Sequence, residues 1–314
     1  MTSTGYTCGA ILFIIFTMVG FIGNSITTVA LLRDRNIRQH STTAFILSLC
    51  ISDLIFASFC LPVTAAAFLN SELMHHDPIC KLYGSTTYIN FAITTFSITA
   101  IAVNRSWRLS IHCLTITMVF CRYILIVHNS LYKSMYQKSV VFCQLLVIWI
   151  LPPALMSIPL TDNWGTISRY KRLCRIMEKD GESIEDLLFV IGIIAPCFII
   201  TVLYSCIYYT VRQQLRTVAL QTSCPSNSQA VESHLTRMTL LIFVSFVLGC
   251  LPLVIEHFWF GGNEVGTTFC SILTIINPFI YATTNRKYRA AYAKLFSDMK
   301  FWSLSLFTRE TDIK

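Results

Sequence analysis

The chain has 314 residues, of which 54% are hydrophobic and only 13% charged, with a mean hydropathy of +0.61. That is too apolar for one or two water-soluble domains and marks an integral membrane protein. The formal net charge of +8 requires no nucleic acid, because a positive inner membrane face drawn to anionic lipid explains it.

A helix crosses the bilayer core with about 20 apolar residues. Runs of that kind lie near 10–32, 43–69, 80–105, 139–160, 184–210, 235–260 and 266–283, so the pattern predicts seven spans. With the N-terminus outside, eighteen of the 24 Lys and Arg fall in inner segments. Six fall outside: Lys81, Arg169, Lys171, Arg172, Arg175 and Lys179. The asymmetry predicts an outer N-terminus and an inner C-terminus. The first run lacks a charged leader and a small-residue cleavage site, so it reads as a retained helix.

The first span carries Gly23-Asn24, an amide in an apolar helix. The second carries Leu49 and Asp53, an acid with apolar turns on both sides. A charge at membrane depth is costly and marks function, with its partners on the bundle interior. Arg105 follows Cys80 by 25 residues, about 38 Å of helix, so the third span crosses the membrane and its interfaces. Trp149 and Pro152-Pro153 lie in the fourth span, Pro196 and Tyr204 in the fifth, Phe246 and Pro252 in the sixth. The seventh ends in Asn277-Pro278-Phe279-Ile280-Tyr281. One proline in a span is weak evidence, but the ordered set is specific. Beyond it, Tyr288, Ala291, Tyr292, Leu295 and Phe296 share one helical face, with Arg286, Lys287, Arg289 and Lys294 on the rest. That pattern predicts an amphipathic helix on the membrane surface. Most of the 13 cysteines lie inside helices as small hydrophobes. Cys8, Cys80, Cys174 and Cys270 lie on the oxidising side, and their pairing is open at this point.

One motif per helix, from Gly23-Asn24 through Asp53, Cys80 to Arg105, Trp149, Pro196 and Phe246 to Pro252, and on to Asn277–Tyr281, resembles the rhodopsin-like family of G-protein-coupled receptors across nearly the whole chain. Asn104-Arg105 with Tyr123, the run RYILIVHNSLY and the ending NPFIYA are most similar to insect trapped-in-endoderm and moody type receptors, with melatonin-type receptors as cousins. The resemblance implies an all-α membrane protein, a seven-transmembrane helix bundle with a short amphipathic eighth helix. Residues 1–296 would form the receptor domain, with the surface helix at 285–296, and 297–314 the cytoplasmic tail.

The resemblance also assigns roles. Cys80 would pair with Cys174. Asp53, with Thr94, Thr274 and Asn277 and supported by Asn24, would form a polar pocket for a sodium ion, a hard cation suited to oxygen ligands. No other cofactor or metal is expected. Arg105 would be the inner-face switch, paired at rest with Glu232, 20 residues before Pro252. In the active state Arg105 would meet Tyr204 and Tyr281 while a G-protein helix enters an opened inner cavity. Asn104, Tyr123, Phe246 and Pro278 complete this activation and coupling set. An outward swing of the sixth span about Pro252 would be the two-state element that agonist biases.

Two features depart from the family pattern. Where Cys-Trp-x-Pro is usual in the sixth span, this chain has Gly249-Cys250-Leu251-Pro252, which removes the aromatic often assigned to ligand sensing. The second departure splits the Asn-Arg-Tyr motif. Arg105 precedes Trp149 by 44 residues, against a family spacing in the high twenties. Leaving out Ser106 to Arg122, 17 residues, shortens the spacing to 27 and restores AVNRYILIV. Arg122-Tyr123 is not itself the inner end, since it would put 42 residues after Cys80, about 63 Å of helix.

Residues 106–122 therefore read as an insertion, and as the product of a retained short intron. Seventeen codons keep the frame, both boundaries fall in an arginine codon compatible with AG|G, and Val119-Phe120-Cys121-Arg122 is compatible with a pyrimidine-rich splice acceptor. The alternative is a true inserted loop. That form would carry Tyr123 away from Arg105 and leave Ile111, Leu114, Ile116, Met118, Val119 and Phe120 in need of cover. Its coupling is expected to be severely reduced.

Thr87 stands where amine receptors of the family carry an acid, which argues against a biogenic amine, and the seventh span has no lysine for a retinal Schiff base, which argues against an opsin. Thr87, Tyr88, Phe91, Leu253, Val254 and His257 outline a mostly apolar outer pocket. Arg169, Lys171, Arg172 and Arg175 make the second outer loop basic. A small-molecule or lipid agonist is expected, and an anionic amphiphile fits both features. Further expected partners are a heterotrimeric G protein, arrestin and membrane lipid, at the plasma membrane. Without a cysteine after Cys270 to carry palmitate, Phe301 and Trp302 would anchor the tail at the interface. The subfamily resemblance implies a role in cell migration or barrier formation. Two alternatives stand beside this reading: a signalling-deficient or mis-spliced receptor form, and a seven-helix transporter or channel, which would want ionisable groups along a path or internal repeats. An enzyme is not expected, since no acid, base and nucleophile share a face.

Overall fold

The computed structural model describes residues 3–110, 138–181, 184–220, 227–259 and 264–311, and side chains within 4–104, 139–181, 184–209, 237–259 and 266–298. Seven long helices form the bundle: α1 (Ser3–Arg33), α3 (Ser41–Leu69), α4 (Asp77–Ser110), α5 (Lys138–Leu160), α6 (from Glu185–Phe189 through Val190–Ile194 to Ala195–Leu220), α7 (Asn227–Trp259) and α8 (Glu264–Thr284). A single turn, α2 (Arg35–Arg38), joins the first two, and α9 (Arg286–Thr311) follows the last. Six of the seven are long and apolar enough to cross a membrane by length and composition. The seventh, α8, is more polar because Thr267, Thr268, Ser271, Thr274 and Asn277 interrupt its apolar run.

Proline sets the local irregularities. It supplies no N–H and crowds the carbonyl four residues back. The widened π-helical turns Phe56–Cys60 and Val190–Ile194 fall immediately before Pro62 and Pro196, where they absorb that misfit. At α2 the Asp34 carboxylate accepts from the backbone N–H groups of Asn36 and Ile37 at 3.0 and 3.1 Å, a conventional helix N-cap.

The bundle is ordered around α4, which packs on α3, α5, α6 and α7, while α1 packs on α3 and α8. Its interior holds two apolar clusters. One, toward the outer end, includes Phe13, Phe56, Phe68, Tyr83 and Met156. The other, deeper, includes Leu49, Ile93, Ile101, Phe246 and Tyr281. Ile11, Ile14, Phe142, Val147, Phe198 and Leu248 are exposed on the outside of the bundle, where a membrane protein presents apolar side chains to lipid.

Two elements lie outside an all-α expectation or its boundaries. Strands β1 (Thr166–Tyr170) and β2 (Leu173–Met177) form an antiparallel hairpin in the second outer loop, with Arg169 paired to Cys174. The Cys80–Cys174 disulfide, 2.04 Å between sulfurs, ties β2 to the start of α4. Cys8 and Cys270 are free thiols. The hairpin lies directly on α4 at Gly84, where a β-carbon would meet Ile167 Cγ2 at 2.6 Å. The surface helix, expected to stop at 296, continues to Thr311 as α9. Its face Tyr288, Ala291 and Leu295 is buried against the bundle, and the Tyr292 hydroxyl meets Thr27 Oγ1 at 3.0 Å. Phe296 alone of that face is exposed.

Candidate functional site: an outer cavity above a buried polar centre

A cavity of about 1210 Å³, its open mouth included, lies between α4, α5, α6, α7, α8 and the hairpin. Thr87, Tyr88, Phe91, Leu253 and His257 line it as expected, together with Phe96, Met156, Leu188, Phe189 and Thr267. Val254, expected there, is not among the lining residues. Its position on α7 is one residue from Leu253, about 100° around the helix, and turns it off the cavity. The walls are mostly apolar, as ligand cavities are.

Of the charged groups at the cavity, the acids Glu185 and Glu256 are the ones the sequence pattern left unassigned. Arg175 Nη2 lies 2.9 and 3.0 Å from the two carboxylate oxygens of Glu185, and the Tyr88 hydroxyl donates to Glu185 Oε1 at 2.9 Å. Burial lowers the tendency of Arg175 to hold its proton, but Glu185, together with Tyr88 and Tyr170, more than reverses this and leaves the guanidinium above its ordinary value. Glu256, on α7, is 7% exposed and lines the cavity. Its Oε2 accepts from the Gly266 backbone N–H in the first turn of α8 at 2.7 Å. An acid at that helix end complements the exposed N–H groups and the positive end of the helix dipole. Its signal was in the sequence: an acid inside the apolar run LPLVIEHFW obeys the same membrane-depth rule as Asp53. His257 Nε2 lies 2.9 Å from Asp186 Oδ1, and its ring stacks on Phe189 at 4.2 Å between centroids.

The basic loop is spent on internal partners. Arg172 donates to the carbonyls of Ala67 and Phe68 at 3.3 and 3.0 Å and lies over the Tyr6 ring at 3.7 Å. Arg169 Nε donates to the Lys171 carbonyl at 2.7 Å. Of the four, only Arg175 lines the cavity, and there Glu185 offsets its charge; the cationic face on which an anionic ligand was expected lies outside the cavity.

Beneath the cavity is a buried polar centre. Asn277 Nδ2 donates to Asp53 Oδ2 at 3.0 Å, joining α8 to α3. Asn24 Nδ2 donates to the Gly20 and Thr274 carbonyls at 2.9 and 2.8 Å, so Asn24 braces α8. Asn24 Oδ1 and Thr94 Oγ1 are buried and have no partner among the described residues. A second network escaped the sequence reading, because serines in an apolar run give no periodic signal. Trp149 Nε1 donates to Ser48 Oγ at 2.9 Å, Ser48 meets Ser97 at 3.2 Å, and Asn90 Nδ2 donates to Ser52 Oγ at 2.8 Å.

At the inner end, Tyr204 and Tyr281 are buried, with Tyr204 stacked on Phe243 at 5.6 Å. Phe246 is also buried. Asn104 Nδ2 donates to the Ala100 carbonyl at 2.8 Å and faces Gln144 Oε1 at 3.4 Å. Pro252 lies inside α7 and Pro278 inside α8. The side chains of Arg105, Glu232, Phe301 and Trp302, together with Tyr123 and most of the 106–122 segment, lie outside what the structure describes.

The arrangement matches known proteins. The family model of the seven-transmembrane receptors of the rhodopsin family matches residues 23–111 and 109–281. The chain is 33% identical to the Drosophila melanogaster protein trapped in endoderm-1, over 92% of this chain and 77% of that one. It is 26% identical to the G-protein coupled receptor moody of the same organism, over 91% of this chain and 50% of moody. Squid rhodopsin superimposes with a TM-score of 0.74, at 19% identity, over 95% of this chain and 87% of the other. Transporter, channel and signalling-deficient readings are not favoured by these matches. The chain belongs to the rhodopsin family of seven-transmembrane receptors and is a G-protein-coupled receptor, a multi-pass membrane protein that binds a ligand and couples to G proteins.

Proposed function

We propose that this receptor takes a small, largely apolar agonist into the outer cavity and passes the signal through the Asp53–Asn277 centre to a G protein at the inner end. The observation that carries the reading is the cavity itself. It is lined by α4 to α8, walled by the hairpin, and stands over a polar link between α3 and α8. With Arg175 paired to Glu185 at the cavity wall, the agonist needs no anionic head group there. The receptor is proposed to act at the plasma membrane with its N-terminus outside, which the disulfide at that end of the bundle supports. Arrestin is a further proposed partner, and cell migration or barrier formation the proposed process.

The test is nucleotide exchange on a reconstituted G protein while small molecules and lipids are screened, with Phe91→Trp in parallel to fill the cavity. A compound that activates both forms equally acts elsewhere and overturns the reading.

Asp53 and Thr94 are proposed to hold a sodium ion, with Asn277 and Thr274 beside them and Asn24 as a brace. The orphaned Thr94 Oγ1 fits a hard cation. When bound, the ion supplies charge compensation for the Asp53 carboxylate. The inner switch is proposed to be Arg105, set by Glu232 at rest and by Tyr204 and Tyr281 on activation.

Residues 106–122 are proposed to be an insertion from a retained intron. In support, the family match falls in two segments that meet at 109–111, inside that stretch. A transcript that keeps these codons as its major form would overturn the origin. Equal G-protein activation with and without residues 106–122 would overturn the functional consequence.

A further inference from the structure

Resting on the reading of the outer cavity as the ligand site, we infer that Glu256 is the counter-ion for a positively charged group on the agonist. The ligand class is then an apolar body carrying a protonated amine or a guanidinium. Among the described residues, the charged groups lining the cavity are Arg175, Glu185 and Glu256, with His257 beside them. Arg175 and Glu185 cancel each other through two short contacts, and Tyr88 donates its hydroxyl to the same carboxylate. The partner of His257 is Asp186, an exposed residue. Glu256 is different. It is more than nine-tenths buried, its Oε2 is held by the Gly266 N–H, and its Oε1 carries no hydrogen bond among the described residues.

A largely buried carboxylate with one oxygen unpaired, at the wall of a mostly apolar cavity, is costly unless something compensates it. The backbone N–H takes up one oxygen and fixes the group in place. What remains is a pre-oriented acceptor in a cavity that Tyr88, Phe91 and Phe189 also line. An ammonium satisfies the acceptor while its hydrocarbon part covers the aromatic rings, which themselves attract cations. An anionic ligand would meet the Glu256 carboxylate, and the arginine lining the cavity among the described residues, Arg175, is already paired with Glu185.

The experiment uses the full chain, purified in detergent, and three probes of one shape: 4-phenylbutylamine, 4-phenylbutyrate and 4-phenylbutan-1-ol. The readout is thermal stabilisation against probe concentration. The amine should act at concentrations about tenfold or more below the alcohol, as a charge-assisted hydrogen bond implies, and the acid should be weakest. Glu256→Gln keeps an acceptor for the Gly266 N–H and removes the charge, so it should fold and bring the amine down to the alcohol. Glu256→Asp keeps the charge and should keep the preference for amine. If the alcohol binds and the amine is no better, or if the amine preference survives in Glu256→Gln, the assignment of Glu256 fails while the cavity stands. If none of the three stabilises the wild-type chain, the cavity reading falls and the assignment with it.

Discussion

Replacing Gly266 by alanine would put a methyl group where α7 already stands. A β-carbon there lies 2.7 Å from Leu253 Cα, 3.0 Å from its backbone nitrogen and 2.5 Å from Glu256 Oε2. Ordinary contact begins near 3.4 Å, so relief needs a shift of about 0.7 Å between two helix backbones, or expulsion of the carboxylate. Helix backbones do not yield as a long side chain does. The overpacking costs about 1–3 kcal/mol, and loss of the charge-assisted bond to Glu256 adds about 1.5–3 kcal/mol. For a chain of this size the apparent melting temperature should fall on the order of 10 °C. The assay is thermal unfolding of the detergent-solubilised receptor, with Gly266→Ala made in both the wild-type and Glu256→Ala backgrounds. In the second background the oxygen is absent and only the Leu253 backbone clash remains, so the substitution should cost about 1–3 kcal/mol. A Gly266→Ala chain that melts with the wild type would show that α7 and α8 are not held this close.

Three further expectations concern the outer face. Cys174→Ser should free β2 from α4 and destabilise the receptor by about 4–5 kcal/mol, the chain-entropy value for a loop of some ninety residues. Reducing agent should lower the melting temperature of the wild type and leave the variant unchanged. Arg172→Ala should cost about 2–4 kcal/mol, from two charged hydrogen bonds to helix-end carbonyls and the stacking on Tyr6; a Tyr6→Leu double-mutant cycle should show coupling of about 0.5–2 kcal/mol, and zero coupling would refute the stacking. Asp162 is held below the ordinary carboxylate value by the Thr166 hydroxyl and the Lys81 ammonium. A depressed value means that its contribution is complete above the unfolded value and is lost as pH falls through the folded one. The loop should therefore stay docked at pH 5 and loosen only in strong acid, with pepsin cleavage of the hairpin as the readout. Asp162→Asn should remove that acid step, and a step that persists would assign it elsewhere.

Much of this receptor is legible along the chain because the governing rules are local. Bilayer thickness dictates span length, the cost of a buried charge singles out Asp53, and proline spacing locates Pro252 and Pro278 without any knowledge of neighbours. The amphipathic face of Tyr288, Ala291 and Leu295 is readable in the same way, but its bed is not. The pattern says that the face must be covered, and the fold covers it with the bundle itself.

What tertiary structure alone decided is where charge faces the outer cavity. The row Arg169, Lys171, Arg172 and Arg175 reads in sequence as a basic loop. In the fold, Arg172 caps a helix end and Arg175 is neutralised by Glu185. Val254 and Glu256 stand two positions apart on α7, yet only Glu256 lines the cavity and reaches across to Gly266. Each helix residue is turned about 100° from the last, and which direction is the cavity depends on helices brought alongside from far along the chain. Sequence therefore determines the seven spans, their order and the polar positions within them. The sign of the charge left facing the outer cavity is decided by packing, because it depends on which groups have already cancelled one another.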